Sequence, residues 1–262
     1  MLRENATITL NDSLGANLFR MHIKSAGIAS SWIPGQFLHI LPPVTDRPPM
    51  LRRPISIYSS TDDEVEFIFR VEGDGTKLIS QQKVGDKLDV IGPLGHGFEQ
   101  IPHRDGIYIL IGGGIGAPPV IALMNILFRF RIKAELYQGA RNSGDLILND
   151  ELSQKGFIYK VATEDGSIGT KGLVTSILPD PSKTRIACAY ACGPIGMMKA
   201  VLNWRGNAGF PYYVSVENKL GCGVGVCLGC SVPSIDGSYV KTCKDGPVFN
   251  ADTLDWNRMD RI

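Results

Sequence analysis

The stretch IYILIGGGIGAPPVIALMNILFR, residues 107–129, decides how this chain is read. Its first five residues are an unbroken apolar run, the pattern of a strand buried on both faces of a parallel sheet. The glycine turn Gly112-Gly113-Gly114-Ile115-Gly116 follows at once, and the apolar segment 120–129 beyond it has the length of a helix. Downstream, strand-like segments at 133–138, 157–162 and 185–191 alternate with candidate helices at 146–154, 173–178 and 196–204. That alternation predicts a doubly wound α/β domain over residues 102–209.

Upstream the texture differs. Residues 1–101 hold short β-rich runs at 6–10, 18–23, 36–40, 55–59, 65–71 and 87–91, separated by Gly, Pro and Asp. Turn signals at such close spacing predict an antiparallel barrel or sandwich. Pro42, Pro43, Pro48 and Pro49 mark a long irregular loop within it. From about Phe210 the pattern gives way to Gly, Cys and turn residues, which predicts a small third unit over 210–262. The expected class is therefore multidomain α+β.

The 262 residues contain 27 Lys plus Arg against 26 Asp plus Glu, so no strong field favours nucleic acid or an anionic membrane. The N-terminal sequence MLRENATITLNDSLG has no apolar signal core, and the apolar runs are too short to span a bilayer, so a cytoplasmic protein is expected.

Of six cysteines, four fall in the last quarter, as Cys222, Cys227, Cys230 and Cys243. The spacing C-x4-C-x2-C, with a fourth Cys beyond, is the plant-type pattern for a [2Fe–2S] cluster. Gly221, Gly223, Gly225 and Gly229 permit the tight backbone that convergence of four thiolates requires. Four-cysteine zinc is the competing reading, although it ordinarily shows two separated C-x2-C knuckles and only one exists here. A set of buried, unligated thiols would not call for four interleaved glycines.

Other segments suit phosphates. The turn 112–116 between strand and helix allows a pyrophosphate to approach the backbone, although tight turns need glycine for packing too. Cys192-Gly193-Pro194 ends another sheet strand, where such sheets bind ligands; a plain buried thiol is the alternative for Cys192. In the β-rich half, Arg52-Arg53-Pro54-Ile55-Ser56 sets a guanidinium near a hydroxyl, either for phosphate or as a solvated basic pair. Phe69-Arg70-Val71-Glu72-Gly73-Asp74-Gly75-Thr76 leads into a candidate helix at 77–82, offering N–H groups and a hydroxyl to a second phosphate.

In order, Arg53-x-x-Ser56, Gly73-x-Gly75-Thr76, Gly112 to Gly116 and Cys192-Gly193-Pro194 resemble the ferredoxin–NADP reductase superfamily over residues 1 to about 217, with Glu217 at its closing acidic position. In that family a barrel holds the flavin and an α/β domain holds NAD(P). The Arg53-Pro54-Ile55-Ser56 motif, the cysteine loop directly after Ser215-Val216-Glu217, and Cys243 narrow the likeness to electron-transfer subunits of class B, NAD-dependent dihydroorotate dehydrogenases of pyrimidine biosynthesis.

The resemblance implies FAD, a [2Fe–2S] cluster and NAD as cofactors, and an FMN-containing catalytic subunit as partner in a heterotetramer of two of each. It implies FAD contacts from Arg53, Pro54, Ile55, Ser56, Phe69, Arg70, Val71, Gly75 and Thr76, and nicotinamide-nucleotide contacts from Gly112, Gly113, Gly114, Gly116, Cys192, Gly193, Pro194 and Glu217. The cluster ligands would be Cys222, Cys227, Cys230 and Cys243; no acid–base residue is expected. Two departures stand out. Ile55 replaces the superfamily's usual flavin-covering Tyr, leaving Ile55 or Tyr58 for that place, and the cluster loop is far shorter than a ferredoxin domain. Arg141 lies where a 2′-phosphate could be met, but an Arg there is also common with NAD. Related reductase subunits of a hydrogenase, sulfide dehydrogenase or transhydrogenase would carry nearly the same motifs, and a redox-sensing nucleotide binder is a rival of another class.

Overall fold

Six strands close into an antiparallel barrel: β1 (Leu2–Gly15), β2 (Leu18–Lys24), β3 (Phe37–Ile40), β4 (Arg53–Ser60), β5 (Glu64–Arg70) and β6 (Lys87–Leu94), with the helical segments α1 (Ala26–Ala29) and α2 (Asp74–Ser80) between them. Neighbours run β1-β2-β5-β4-β3-β6, and β6 returns to β1. The computed structural model describes residues 1–15, 17–43, 49–98 and 104–259, so Pro48 and the expected boundary at 101/102 lie outside the described residues. Each of the six predicted β-runs overlaps a barrel strand. The core is built from alternate, inward-facing residues such as Ile8, Met21, Leu38, Ile40, Phe67 and Val90.

Two ion pairs on one carboxylate, Asp89, fasten the barrel at β6. Arg52 donates to the carbonyls of His39 (3.1 Å) and Asp89 (2.9 Å), and its other amino group stands 2.8 Å from the Asp89 carboxylate. Arg3 meets the same carboxylate at 2.7 Å. The Arg3 hydrogen bond, then Arg52, hold the Asp89 carboxyl below its ordinary range against the opposing effect of burial.

A second compact unit is built on a seven-stranded sheet. It contains β7 (Ile107–Gly113), α3 (Ala117–Arg129), β8 (Ala134–Ala140), α4 (Asn149–Ser153), β9 (Ile158–Thr163), β10 (Thr170–Lys171), β11 (Ile186–Cys192), α5 (Ile195–Arg205) and β12 (Tyr212–Ser215). The short strands β13 (Ser231–Pro233), β14 (Tyr239–Lys241) and β15 (Val248–Asn250) follow. The sheet order is β10-β9-β8-β7-β11-β12-β15, parallel except for β15 at the edge. The candidate helix at 173–178 is only a 3₁₀ turn, Val174–Ile177.

The segment from Phe210 is more ordered than its composition suggested. Phe210, Tyr212, Val214 and Val216 are buried in the core of the sheet domain, because β12 extends the parallel sheet beside β11. Residues 217–231 and 241–247 belong to the barrel unit, whereas 232–240 and the described residues from 248 onward belong to the sheet unit. The C-terminal iron–sulfur segment is thus shared between two bodies. Among the described residues, no helix is long and apolar enough to cross a membrane.

Candidate functional site

The cysteine loop lies on the outer face of the barrel at β3 and β6. Cys230 and Cys243 are buried with Phe37 and Leu94, and Ile91 and Leu220 pack against them. Cys243 reaches Cys230 because β13 and β14 form a hairpin, at whose base Thr242 N–H donates to the Cys230 carbonyl at 3.1 Å. Their sulfurs stand 3.2 Å apart as free thiols. Cys222 and Cys227 form a second pair, each donating its backbone N–H to the other's sulfur at 3.4 Å. The loop aims further donors inward: Val224 and Val226 N–H to Cys222 Sγ, and Gly225 N–H to Cys243 Sγ at 3.1 Å.

Burial opposes ionisation of the Cys222 thiol, yet the N–H groups of Val224, Cys227 and Val226 bring it down to about 6. Burial and then Cys230 push Cys243 up to about 12. Among the described residues, no three Cys, His, Asp or Glu side chains gather about one point as a single metal ion would require. Two thiol pairs in a donor-rich loop instead fit a cluster of two irons with two thiolates on each. This donor set fits [2Fe–2S] better than mononuclear zinc.

His39 lies under this loop. It is fully buried on β3, and neither ring nitrogen has a hydrogen-bond partner among the described residues. Burial and then the Arg52 charge push its pKa down to about 4, so the ring is neutral near pH 7. Sequence reading passed over His39, whose signal was a histidine within the apolar strand Phe37-Leu38-His39-Ile40.

The flavin motif separates into distinct parts. Arg52 is structural, as described above, whereas the Arg53 guanidinium lies across Gly75, where a Cβ would come within 2.7 Å of Cζ. The first-turn N–H groups of α2 have no intrahelical acceptor. A guanidinium held over these donors fits a diphosphate. The Thr76 hydroxyl is committed to the turn itself: it accepts from Glu72 and Gly73 N–H and donates to the Gly73 carbonyl. The expected use of that hydroxyl by phosphate therefore competes with local closure. The side chains of Ile55 and Phe69 belong to the barrel core, and Val71 packs against it. Contact of Ile55 or Phe69 with a nucleotide would run through the backbone. Tyr58 is buried, Pro54 and Ser56 are half-buried, and Arg70 ends β5 in register with Leu18. The exposed Glu217 has protein packed around it and Glu72 nearby, which together push its carboxyl pKa up.

In the sheet domain two turns meet at the C-terminal edge of adjacent strands. Cys192 at the end of β11 is in register with Gly112 of β7 and is buried. A Cβ at Gly116 would stand 2.7 Å from Gly193 Cα, and one at Gly113 would stand 2.9 Å from Pro194 Cδ. These glycines serve turn-to-turn packing. Gly114, at φ +51°, has open space around its missing Cβ, so it is the glycine of this turn that an incoming pyrophosphate can approach. Arg141 follows β8, largely exposed, with its Nε 3.4 Å from the Asp145 carboxylate.

Two family matches cover these regions. Residues 110–203 match the oxidoreductase NAD-binding domain, and residues 217–255 match the iron–sulfur cluster binding domain of dihydroorotate dehydrogenase B. The chain is 36% identical over 260 residues to the electron transfer subunit of dihydroorotate dehydrogenase B (NAD(+)) of Bacillus velezensis, covering 97% of this chain and 99% of that one. Against the same subunit of Desulforamulus reducens the identity is 37% over 248 residues, covering 92% and 93%. The chain belongs to this family of electron-transfer subunits. It is an oxidoreductase component, and FAD, [2Fe–2S] and NAD are the cofactors that go with that membership. The solved structure of an NADH-dependent reduced ferredoxin–NADP oxidoreductase is similar throughout, with TM-score 0.84 and 27% identity, covering 98% of this chain and 92% of that one. The flavohem-like FAD/NAD binding domain of nitric oxide dioxygenase from Vibrio cholerae shares the fold, with TM-score 0.66 and 21% identity over 80% of this chain and 97% of that one.

Gly116→Val drives a branched side chain into the Gly193 backbone, which cannot yield as a flexible side chain would. The variant should lose about 1–3 kcal/mol of stability by urea titration. In stopped-flow measurements its reduction by NADH should slow at least tenfold while iron and flavin contents stay at wild-type values.

Proposed function

We propose that the chain carries electrons from a partner subunit, which oxidises dihydroorotate at FMN, to NAD+, within a cytoplasmic heterotetramer of two copies of each subunit. The observation that carries this reading is the split of the thiols into an outer and an inner pair. Cys222 and Cys227 are solvent-accessible, whereas Cys230 and Cys243 are buried against the barrel that also carries Arg53 and Gly75. Bound FAD trades two electrons with a nicotinamide as hydride and single electrons with iron, so the three groups together convert one kind of traffic into the other.

The residues have separate tasks. Cys222, Cys227, Cys230 and Cys243 hold the cluster, and the N–H groups of residues 224–227 stabilise charge on its sulfurs. Arg53 and the first turn of α2 bind the FAD diphosphate, with Pro54 and Ser56 beside it on β4. Gly114 admits the nicotinamide nucleotide, Gly113, Gly116, Gly193 and Pro194 keep its two turns closed, and Cys192 faces the nicotinamide. The Asp145 carboxylate at Arg141 supports NAD over NADP, since it repels a 2′-phosphate. Thiols that must stay reduced until iron is bound suit the cytoplasm.

Replacement of any one of the four ligand cysteines by Ala should strip iron and bleach the long-wavelength absorbance. Full iron in one such variant removes that residue from the ligand set. Arg53→Ala should weaken FAD retention tenfold or more, because a charge-assisted phosphate contact contributes about 1.5–3 kcal/mol. Arg52→Ala should instead lower the stability of the chain while retained FAD still binds, and equal FAD loss in both would refute the division between them.

The cluster loop exposes Val226 (77%) and Leu228 (63%), with Val224 beside them, and exposed apolar groups clustered around a redox site mark a contact surface. Val226→Asp and Leu228→Asp should keep iron and NADH diaphorase activity but uncouple dihydroorotate oxidation from NAD+ reduction in the assembled enzyme. The isolated chain should show diaphorase activity and no dihydroorotate oxidation; oxidation by the chain alone would overturn the assignment.

A further inference from the structure

The outer face of β3 carries two side chains toward the cysteine loop, Phe37 and His39, because Leu38 and Ile40 turn into the barrel core. Phe37 packs on Cys230 and Cys243. His39 packs on the other limb of the loop: a Cβ built on Gly223 would collide with Nδ1 and stand 2.9 Å from Cε1. Gly223, at φ +72°, directly follows Cys222. On its other side His39 is in register with Pro54, between Arg53 and Ser56. A neutral imidazole has one N–H donor and one acceptor nitrogen, and a buried ring ordinarily finds partners for them. Here neither nitrogen has a partner of hydrogen-bonding geometry among the described residues, although the Arg52 backbone stands close enough to favour protonation of the ring.

We propose that His39 is a positioning residue of the iron–sulfur site, bracing the Gly223 turn and donating its ring N–H to a sulfur of the bound cluster from the barrel side. The inference rests on the ligand assignment above. Apart from the Cys222 N–H, which donates to Cys227 Sγ, the loop's own N–H donors come from residues 224, 225, 226 and 227, on the far limb beyond Gly223. His39 supplies a donor from the opposite, buried side. Hydrogen bonds to cluster sulfurs stabilise the reduced, more negative form and raise its potential. The barrel strand that neighbours the flavin motif thereby also sets the driving force between the two cofactors.

The test uses the full chain with its cofactors. Iron content and the reduced-cluster EPR signal are recorded first, since their absence would indict the ligand assignment and not His39. With the signal present, wild-type protein carrying ¹⁵N-histidine should show a histidine nitrogen coupling in pulsed EPR, and His39→Gln should abolish it. His39→Leu should lower the cluster midpoint by a tenfold change in the one-electron equilibrium, about 59 mV, with the flavin potential unmoved. His39→Gln, which keeps an amide donor, should recover most of that shift. No histidine coupling in a protein with an intact signal overturns the proposal, as does a coupling that survives His39→Gln. An unchanged midpoint in His39→Leu, or a shift confined to the flavin, also overturns it. If His39→Leu does not fold, the labelled wild type and His39→Gln still decide.

Discussion

Strand β3 is buried on both of its faces, and the rest of the redox architecture follows from that constraint. A strand of a small antiparallel barrel ordinarily keeps one face in water, and its sequence then alternates. Phe37-Leu38-His39-Ile40 does not alternate, and all four side chains are buried. Leu38 and Ile40 fill the barrel, while Phe37 and His39 require a cover on the outside. That cover is the cysteine loop. Its inner thiols, Cys230 and Cys243, behave as small apolar groups against Phe37 and Leu94, so the loop is attached by packing even before any metal is considered. The hairpin of β13 and β14 then delivers Cys243 to Cys230 across a gap of 13 residues.

The sheet domain solves a different problem with similar means. Two strand-to-helix turns emerge side by side where β7 and β11 are neighbours, and helices α3 and α5 begin immediately after them. Backbone must approach backbone there. Gly116 against Gly193, and Gly113 against Pro194 and Met197, leave no room for a side chain. The glycine-rich turn is therefore over-determined: most of its glycines satisfy packing, and Gly114 alone keeps its face open. A glycine fingerprint in such a fold mixes structural and ligand-facing positions, and only the surroundings of each missing Cβ tell them apart.

The sequence carried the barrel strands and the alternating sheet because both rest on local hydrophobic period and turn residues, and those signals are dense in 6–91 and 107–204. It carried the cysteine ligand spacing for the same reason, since the spacing is itself local. It did not carry β12, because Tyr212-Tyr213-Val214-Ser215 is too short to separate from loop and is specified by its parallel register with β11. Nor did it distinguish Arg52 from Arg53. That distinction is made by Asp89 and by Gly75, dozens of residues away. Asp236-Gly237 is a strong hairpin signal in the sequence, and that turn is what brings Cys243 to the site. Ile55 and Phe69 stand at motif positions, and the barrel's inside–outside alternation turns their side chains into the core.

Electron transfer asks a protein for fixed distances and tuned potentials, and the polar groups of this chain are arranged accordingly. Arg52 and Arg3 are fixed on Asp89, Arg205 on Asp252, and Tyr159 on Gln138 and Asn149, all as structural ties. Cys188, fully buried with its pKa pushed up to about 12 by desolvation, is an inert core thiol. What remains at the redox site is a set of thiols and the loop's own backbone N–H groups, with the Lys244 side chain packed on Gly225. Such a set acts by stabilising charge on sulfur, and it does so at no cost in rearrangement because the loop is already folded around its own donors. The loop's outer side chains, Val226 and Leu228, gain nothing from this arrangement and stay in water at an energetic penalty. A surface so close to the thiols can be kept apolar against that penalty if a second protein removes it from water, and the physical demands of the cluster and of its partner then meet in the same ten residues.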